Sequence, residues 1–185
     1  MKKIYLDHAS AMPVDPRVFN FAKPYLTEKI GNPSSLYSTG LDAKKALEES
    51  RIQIAEFINA EDEKSIIFTS GATESNNIAI RGTALRNQNI GKKITASAIE
   101  HISVLNPMKD LQKNGFVFNT IPVDSNGIVN LDKLSNLVTK DTIVTSIMYA
   151  NNEIGTIEPI HEISKIVHEK GMYLHVDATA AAGRI

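Results

Sequence analysis

The sequence predicts an α/β protein, a doubly wound and mostly parallel sheet with helices on both faces. Two observations carry that prediction. After Ala60, short apolar runs alternate with longer stretches of helical period, the pattern of repeated strand–helix–strand units. Asn114-Gly115 and Gly171 stand where helix C-terminal stops belong, so the apolar runs behind them open new elements. The 185 residues are enough for one such domain, burying roughly 70% of the surface its unfolded chain exposes.

Taken in order, the elements begin with an irregular arm. "PVDPRVFNFAKPYL" has turn punctuation at Pro13 and Pro16, followed by apolar residues at helical spacing. "GNPSSLYSTG" is loop, dominated by glycine, proline and serine, and Leu41 to Ile58 has the mixed charge and apolar stripe of an amphipathic helix. Five strands are expected: Ser65–Thr69, Lys92–Ser97, Phe116–Val123, Asp141–Ala150 and Met172–Asp177. The helices between them run roughly over 73–87, 101–114, 131–140 and 160–170. The domain reading is an arm and helix over 1–60 and a sheet domain over 61–185.

Composition narrows the class. Hydrophobic residues make up 42% and charged residues 22%, with 20 basic against 21 acidic side chains and a net charge of −1. That balance points to neither nucleic acid nor a membrane surface as partner. No apolar run approaches the ~20 residues of a membrane span, and "MKKIYLDHAS" has no apolar signal core, so a cytoplasmic location is expected. There is no cysteine, which excludes disulfides, thiolate metal ligands and a cysteine nucleophile on these residues.

In a parallel sheet the chemistry sits at the carboxyl ends of the strands. The first end reads "IIFTSGATESNN". Here Gly71 permits a tight turn, and Ala72, Thr73, Glu74 and Ser75 open a helix whose unpaired amides suit a phosphate. The competing reading is ordinary capping by Ser70 or Thr73, with Glu74 favouring the helix dipole. No Gly-Lys-Ser/Thr follows and Gly71 lacks companion glycines, so neither a P-loop nor a dinucleotide fingerprint is present.

The second end places His101 after Glu100, open to ring stacking, acid–base work or capping. At the fourth, Asn151 and Asn152 need partners, supplied either by a turn at Gly155 or by a ligand. At the fifth, Asp177 follows the apolar "YLHV", and a partly desolvated carboxylate there needs a distant partner or a ligand cation. A metal centre suits the histidines poorly, because His161 and His168 lie two helical turns apart.

Together these stretches resemble the cysteine desulfurases of the class V, fold type I pyridoxal-phosphate enzymes. The likeness runs through "YLDHASAMPVDPRV", "GNPSS", "IIFTSGATESNNIAI", "EHISV", "GIVNLDKL", "TIVTSIMYANNEIGTI" and "LHVDATAAAG". It implies an incomplete large domain, without the C-terminal small domain, that binds pyridoxal 5'-phosphate. By the resemblance, Ala72 and Thr73 hold the phosphate and His101 stacks on the ring and assists proton transfer. Asn152 approaches the phenolic oxygen and the substrate, and Asp177 pairs with the pyridine nitrogen so that the ring acts as an electron sink.

The family takes sulfur from L-cysteine, leaving alanine and a persulfide for iron–sulfur cluster or thio-cofactor assembly. A scaffold protein or other sulfur acceptor is then an expected partner, as is a homodimer or a complementing C-terminal chain.

The pattern is not followed everywhere. The family's cofactor lysine, persulfide cysteine and substrate-gripping arginine are not among these residues, so the chain is expected to be the front part of an enzyme and inactive alone. Ala180 stands where the family has a glutamine on the phenolic oxygen, and Tyr37 stands for a histidine. Without the strands that neighbour it in the family, Ser65–Thr69 is expected to lose its pairing. Two alternatives accompany the main reading: a non-catalytic remnant that binds cofactor or partner, and a selenocysteine lyase or aminotransferase of the same group.

Overall fold

The computed structural model describes residues 4–185 and divides into two units, one ending at Phe68 and the other running from Thr69 to Ile185. In the first unit, α1 spans Pro16–Thr27. Asp15 caps it by accepting from the Arg17 amide at 2.8 Å, and Pro16 occupies a first-turn position where its missing N–H costs nothing. α2 spans Ser38–Phe57, so it opens three residues before the expected Leu41. Gly40, read as a loop residue, is buried in that first turn. A Cβ there would lie 2.5 Å from the Ser35 carbonyl oxygen, so its role is to let two stretches of backbone approach.

A short 3₁₀ turn, Glu63–Ser65, follows. The expected strand Ser65–Thr69 does not form. Ile66 has extended backbone (φ −77°, ψ 121°), but no described residue supplies a ladder partner for 66–69. Instead the Arg51 guanidinium donates to the Ile66 carbonyl and lies 5.1 Å from the Phe68 ring centroid. Strand propensity without a partner for its N–H and C=O groups leaves an extended segment and no more. Among the described residues four strands, not five, make the sheet.

The second unit alternates regularly: α3 Ala72–Arg86, β1 Lys93–Ser97, α4 Ile102–Gln112, β2 Val117–Ile121, α5 Leu131–Leu137, β3 Thr142–Met148, α6 Ile160–Glu169 and β4 Tyr173–Asp177. The strand order is β2-β1-β3-β4, parallel throughout. The stops expected at Gly115 and Gly171 are Schellman caps. After α6 the Gly171 amide donates to the His168 carbonyl at 2.8 Å and the Met172 amide to Val167 at 3.3 Å, with Gly171 at φ 74°; Gly115 and Phe116 repeat the pattern on α4.

Two apolar clusters cover the two faces of the sheet. Ile80 and Ala84 of α3 and Val104, Met108 and Leu111 of α4 pack on Ile94, Ala96 and Val144. On the other face Leu134 of α5 and Ile163 and Val167 of α6 pack with Ile121 and Ile147. β3 is buried over all seven residues, as a central strand covered on both faces should be. The sheet is therefore doubly wound, as its strand–helix alternation implies.

Candidate functional site

The topology sets where a ligand can enter. β1 and β3 are neighbours, yet the chain leaves β1 outward to β2 and leaves β3 outward to β4. Their carboxyl ends therefore open a crevice at the point where the winding reverses. Glu100, just beyond β1, spans this point. Its Oε1 accepts from the Ser97 hydroxyl at 2.6 Å and from the Met148 amide of β3 at 2.7 Å, and Oε2 lies 3.4 Å from the Ser146 hydroxyl. Burial, with the charge of Asp177 adding to it, pushes the Glu100 carboxyl up to about 7 against the three hydrogen bonds. Sequence reasoning passed over Glu100 as the neighbour of His101. The available signal was an acidic residue immediately beyond a buried strand.

The start of α3 is not capped by Ser70 or Thr73. Gly71 is the N-cap and makes no side-chain cap bond, while Glu74 reaches back to accept from both the amide and the hydroxyl of Ser70 at 2.7 Å. The Thr69 hydroxyl pairs with that of Ser75 at 2.7 Å. The first amides of the helix, beginning at Ala72, thus receive no side-chain cap, and Thr73 supplies a hydroxyl on the same turn, an arrangement suited to an anion.

At the tip of β4, Asp177 is 8% exposed. Its Oδ1 accepts from the amide of Thr179 at 3.0 Å and from that residue's hydroxyl at 2.6 Å, and its Oδ2 accepts from the Asn76 side chain at 2.8 Å. Burial pushes this carboxyl up, but the Thr179 and Asn76 hydrogen bonds and the nearby His175 outweigh it and hold it below the ordinary aspartate value. Neutral donors make all three of these bonds, so the negative charge is kept and not matched by a lysine or arginine. His175, on the same strand, meets the Ser146 hydroxyl at 2.8 Å; burial pushes its imidazole down, opposed by Asp177.

His101 caps α4. Its Nδ1 accepts from the Ser103 amide at 3.1 Å and meets the Ser103 hydroxyl at 2.7 Å. Of the roles left open for this histidine, capping is therefore made by one ring nitrogen, while the other remains available. The two asparagines divide the roles that the sequence left equal. Asn151 is buried and builds the turn, its Oδ1 accepting from the amides of Glu153 (2.8 Å) and Ile154 (3.1 Å) and its amide donating to the Ile99 carbonyl at 3.0 Å. Asn152 is exposed, its side chain bonded among the described residues to Glu153 at 2.8 Å.

Of the expected site residues, Thr73 and His101 line one groove of about 180 Å³ between the starts of α3 and α4, together with Asn77, Arg81 and Ser103. Asp177 joins His101 through Asn76 and Ser103. Ala72 opens α3 beside Thr73, and Asn152 stands on its own turn after β3. Asn76 and Ser103 were not anticipated. Asn76 falls on the i, i+4, i+8 row with Ile80 and Ala84, so a polar residue in an apolar stripe was the signal. Among the described residues no group of three or more histidine or carboxylate side chains is placed to hold a metal.

Comparison with known proteins gives the family and the fold. The class V aminotransferase family model matches residues 4–185. "Cysteine desulfurase IscS 1" of Archaeoglobus fulgidus is 52% identical over 181 residues, which cover 98% of this chain and 47% of that protein. "Cysteine desulfurase IscS" of Dictyoglomus turgidum is 48% identical over 184 residues, 46% of its length. Among solved structures, a "NifS-like protein" superposes with a TM-score of 0.91 at 37% identity, covering 95% of this chain and 48% of that one. "SspA in complex with cysteine" superposes at 0.87 and 31%, covering 93% and 49%. The chain thus spans about half the length of the relatives it matches.

Proposed function

Because the chain belongs to the class V aminotransferase family, whose members depend on pyridoxal 5'-phosphate, we propose that it is the cofactor-receiving part of a cysteine desulfurase. The whole protein removes sulfur from L-cysteine, leaving alanine and a persulfide for iron–sulfur cluster or thio-cofactor assembly. A homodimer, a scaffold or other sulfur acceptor, and a cytoplasmic location belong to the same proposal. No helix among the described residues is long and apolar enough to cross a membrane.

The observation that carries this reading is Asp177, a buried carboxylate at a strand tip, hydrogen-bonded by neutral donors and held below the ordinary aspartate value by those bonds and the nearby His175. Such a group is suited to a heteroaromatic cation and would keep a pyridine nitrogen protonated. The uncapped start of α3, with Ala72 and the Thr73 hydroxyl, takes the phosphate. His101 offers its ring face for stacking and Nε2 for proton handling, and Asn152 offers a side-chain amide to the phenolic oxygen and the substrate. The donor set thus fits the cofactor at both ends. When bound, the cofactor supplies an electron sink for a carbanion at the substrate's α-carbon. The sulfur-accepting thiol is not among these 185 residues, which contain no cysteine.

A titration of the purified chain with pyridoxal phosphate, read by absorbance after excess is removed, tests the assignment. Asp177→Ala should weaken binding about tenfold or more, and Thr73→Ala about fivefold, the loss of roughly one hydrogen bond. Equal retention by both variants and the parent sinks it. A second reading, cofactor or partner binding without turnover, draws on Ala180, which offers no hydrogen bond where the family has a glutamine. Retained cofactor with no alanine formed from L-cysteine, even in the full-length protein, favours that reading.

A further inference from the structure

A continuous hydrogen-bonded path joins two residues that lie 76 positions apart in sequence, Asp177 on β4 and His101 at the start of α4. The Asn76 side-chain nitrogen, on α3, lies 2.8 Å from Asp177 Oδ2 and 2.9 Å from Ser103 Oγ. The Ser103 hydroxyl in turn lies 2.7 Å from His101 Nδ1. Asn76 and Ser103 are 4% and 6% exposed, so water has little access to replace either link.

The direction of every bond in this path is determined. An ionised Asp177 accepts only, so the group of Asn76 that faces it is the NH₂. That same NH₂ donates its second hydrogen to Ser103 Oγ, leaving the serine's own proton to go onward to the imidazole. The Ser103 backbone amide also points at His101 Nδ1, at 3.1 Å, and an amide can only donate. Nδ1 therefore receives two donors and carries no proton, and the neutral ring holds its proton on Nε2.

We infer that Asn76 and Ser103 form a positioning bridge that locks His101 in its Nε2–H tautomer and ties its orientation to Asp177. The inference rests on the reading of Asp177 and His101 as the residues that face the cofactor. Its consequence is that the group pairing the ring nitrogen and the group handling the proton are set by one network. Neither bridge residue touches the cofactor in this scheme. Both act through the residues they hold.

Nitrogen-15 spectra of labelled histidine in the full chain test this without turnover. In the parent, His101 should show a pyridine-like Nδ1 and a pyrrole-like Nε2. Ser103→Ala removes one of the two donors, and Asn76→Ala removes the group that orients the serine proton. Because the backbone amide at 103 still donates to Nδ1 in either variant, both should move the His101 pair part of the way toward the averaged positions of mixed tautomers, while His161 and His168 stay unchanged. Ser103→Thr, which keeps the hydroxyl, should restore the parent spectrum.

A folded Asn76→Ala chain with an unmoved His101 overturns the bridge. Should Asn76→Ala fail to fold, Ser103→Ala with an unmoved His101 overturns it equally. Titrating the same samples with pyridoxal phosphate separates the two ideas. A coupled tautomer in a chain that retains no cofactor keeps the bridge and sinks the cofactor reading. Retained cofactor with no coupling does the reverse.

Discussion

Glu100 and Asp177 are carboxyls at the ends of β1 and β4, the two strands that flank β3, and their environments push them in opposite directions. Folding raises Glu100 to about 7, chiefly by burial, so between about pH 4.5 and 7 the folded chain binds a proton that the unfolded chain has released. Its contribution therefore falls as pH rises through that window, by at most about 1.4 kcal/mol per unit, and is level above it. Asp177 has the other sign: its hydrogen bonds outweigh burial, so its contribution is present above the unfolded aspartate pKa and is lost as pH falls through its lowered folded value. Glu100→Gln keeps an oxygen for Ser97 and Met148 and presents an amide toward Ser146. Urea titrations of this variant between pH 5 and 7.5 should show a flatter stability profile than the parent. An unchanged slope would mean that Glu100 is not the group responsible.

The elements show which local signals translate directly into structure. Schellman caps form at Gly115 and Gly171 because the motif needs only a residue free to take positive φ and a local pair of carbonyls. Other glycines have meanings that the local sequence does not carry. A Cβ on Gly91 would lie 2.0 Å from the Asp141 carbonyl oxygen, whereas one on Gly82, exposed in α3, would meet nothing within 4 Å. Chemical denaturation should therefore show Gly91→Ala destabilised by about 1–3 kcal/mol through overpacking and Gly82→Ala stabilised by up to ~1 kcal/mol through helix propensity. Equal effects of the two substitutions would contradict this. The lost strand at Ser65–Thr69 belongs here too. Its composition favours extended backbone, and Ile66 beyond the 3₁₀ turn is extended, but pairing depends on residues far along the chain.

For the molecule as a whole, both apolar clusters lie within Thr69–Ile185, whereas the described residues up to Phe68 hold only Gly40 and Ala55 in buried positions. Local stability follows buried contacts. Hydrogen exchange followed by mass spectrometry should find the amides of β1 and β3 the slowest and those of α1 among the fastest. Slow exchange in α1 matching that of β3 would show that α1 draws protection from contacts other than its own buried surface.

Periodicity and punctuation made the strand–helix alternation, the helix stops and the strand-end position of Asp177 readable, since each depends on residues within a few positions of one another. The order β2-β1-β3-β4, the burial of Glu100 against an amide 48 residues away, the division of labour between Asn151 and Asn152, and the path from Asp177 through Asn76 to His101 were not readable in this way. Those features depend on which strands become neighbours and which helix face meets them. Hydrophobic burial over the whole sheet selects that arrangement, and no single segment contains the information.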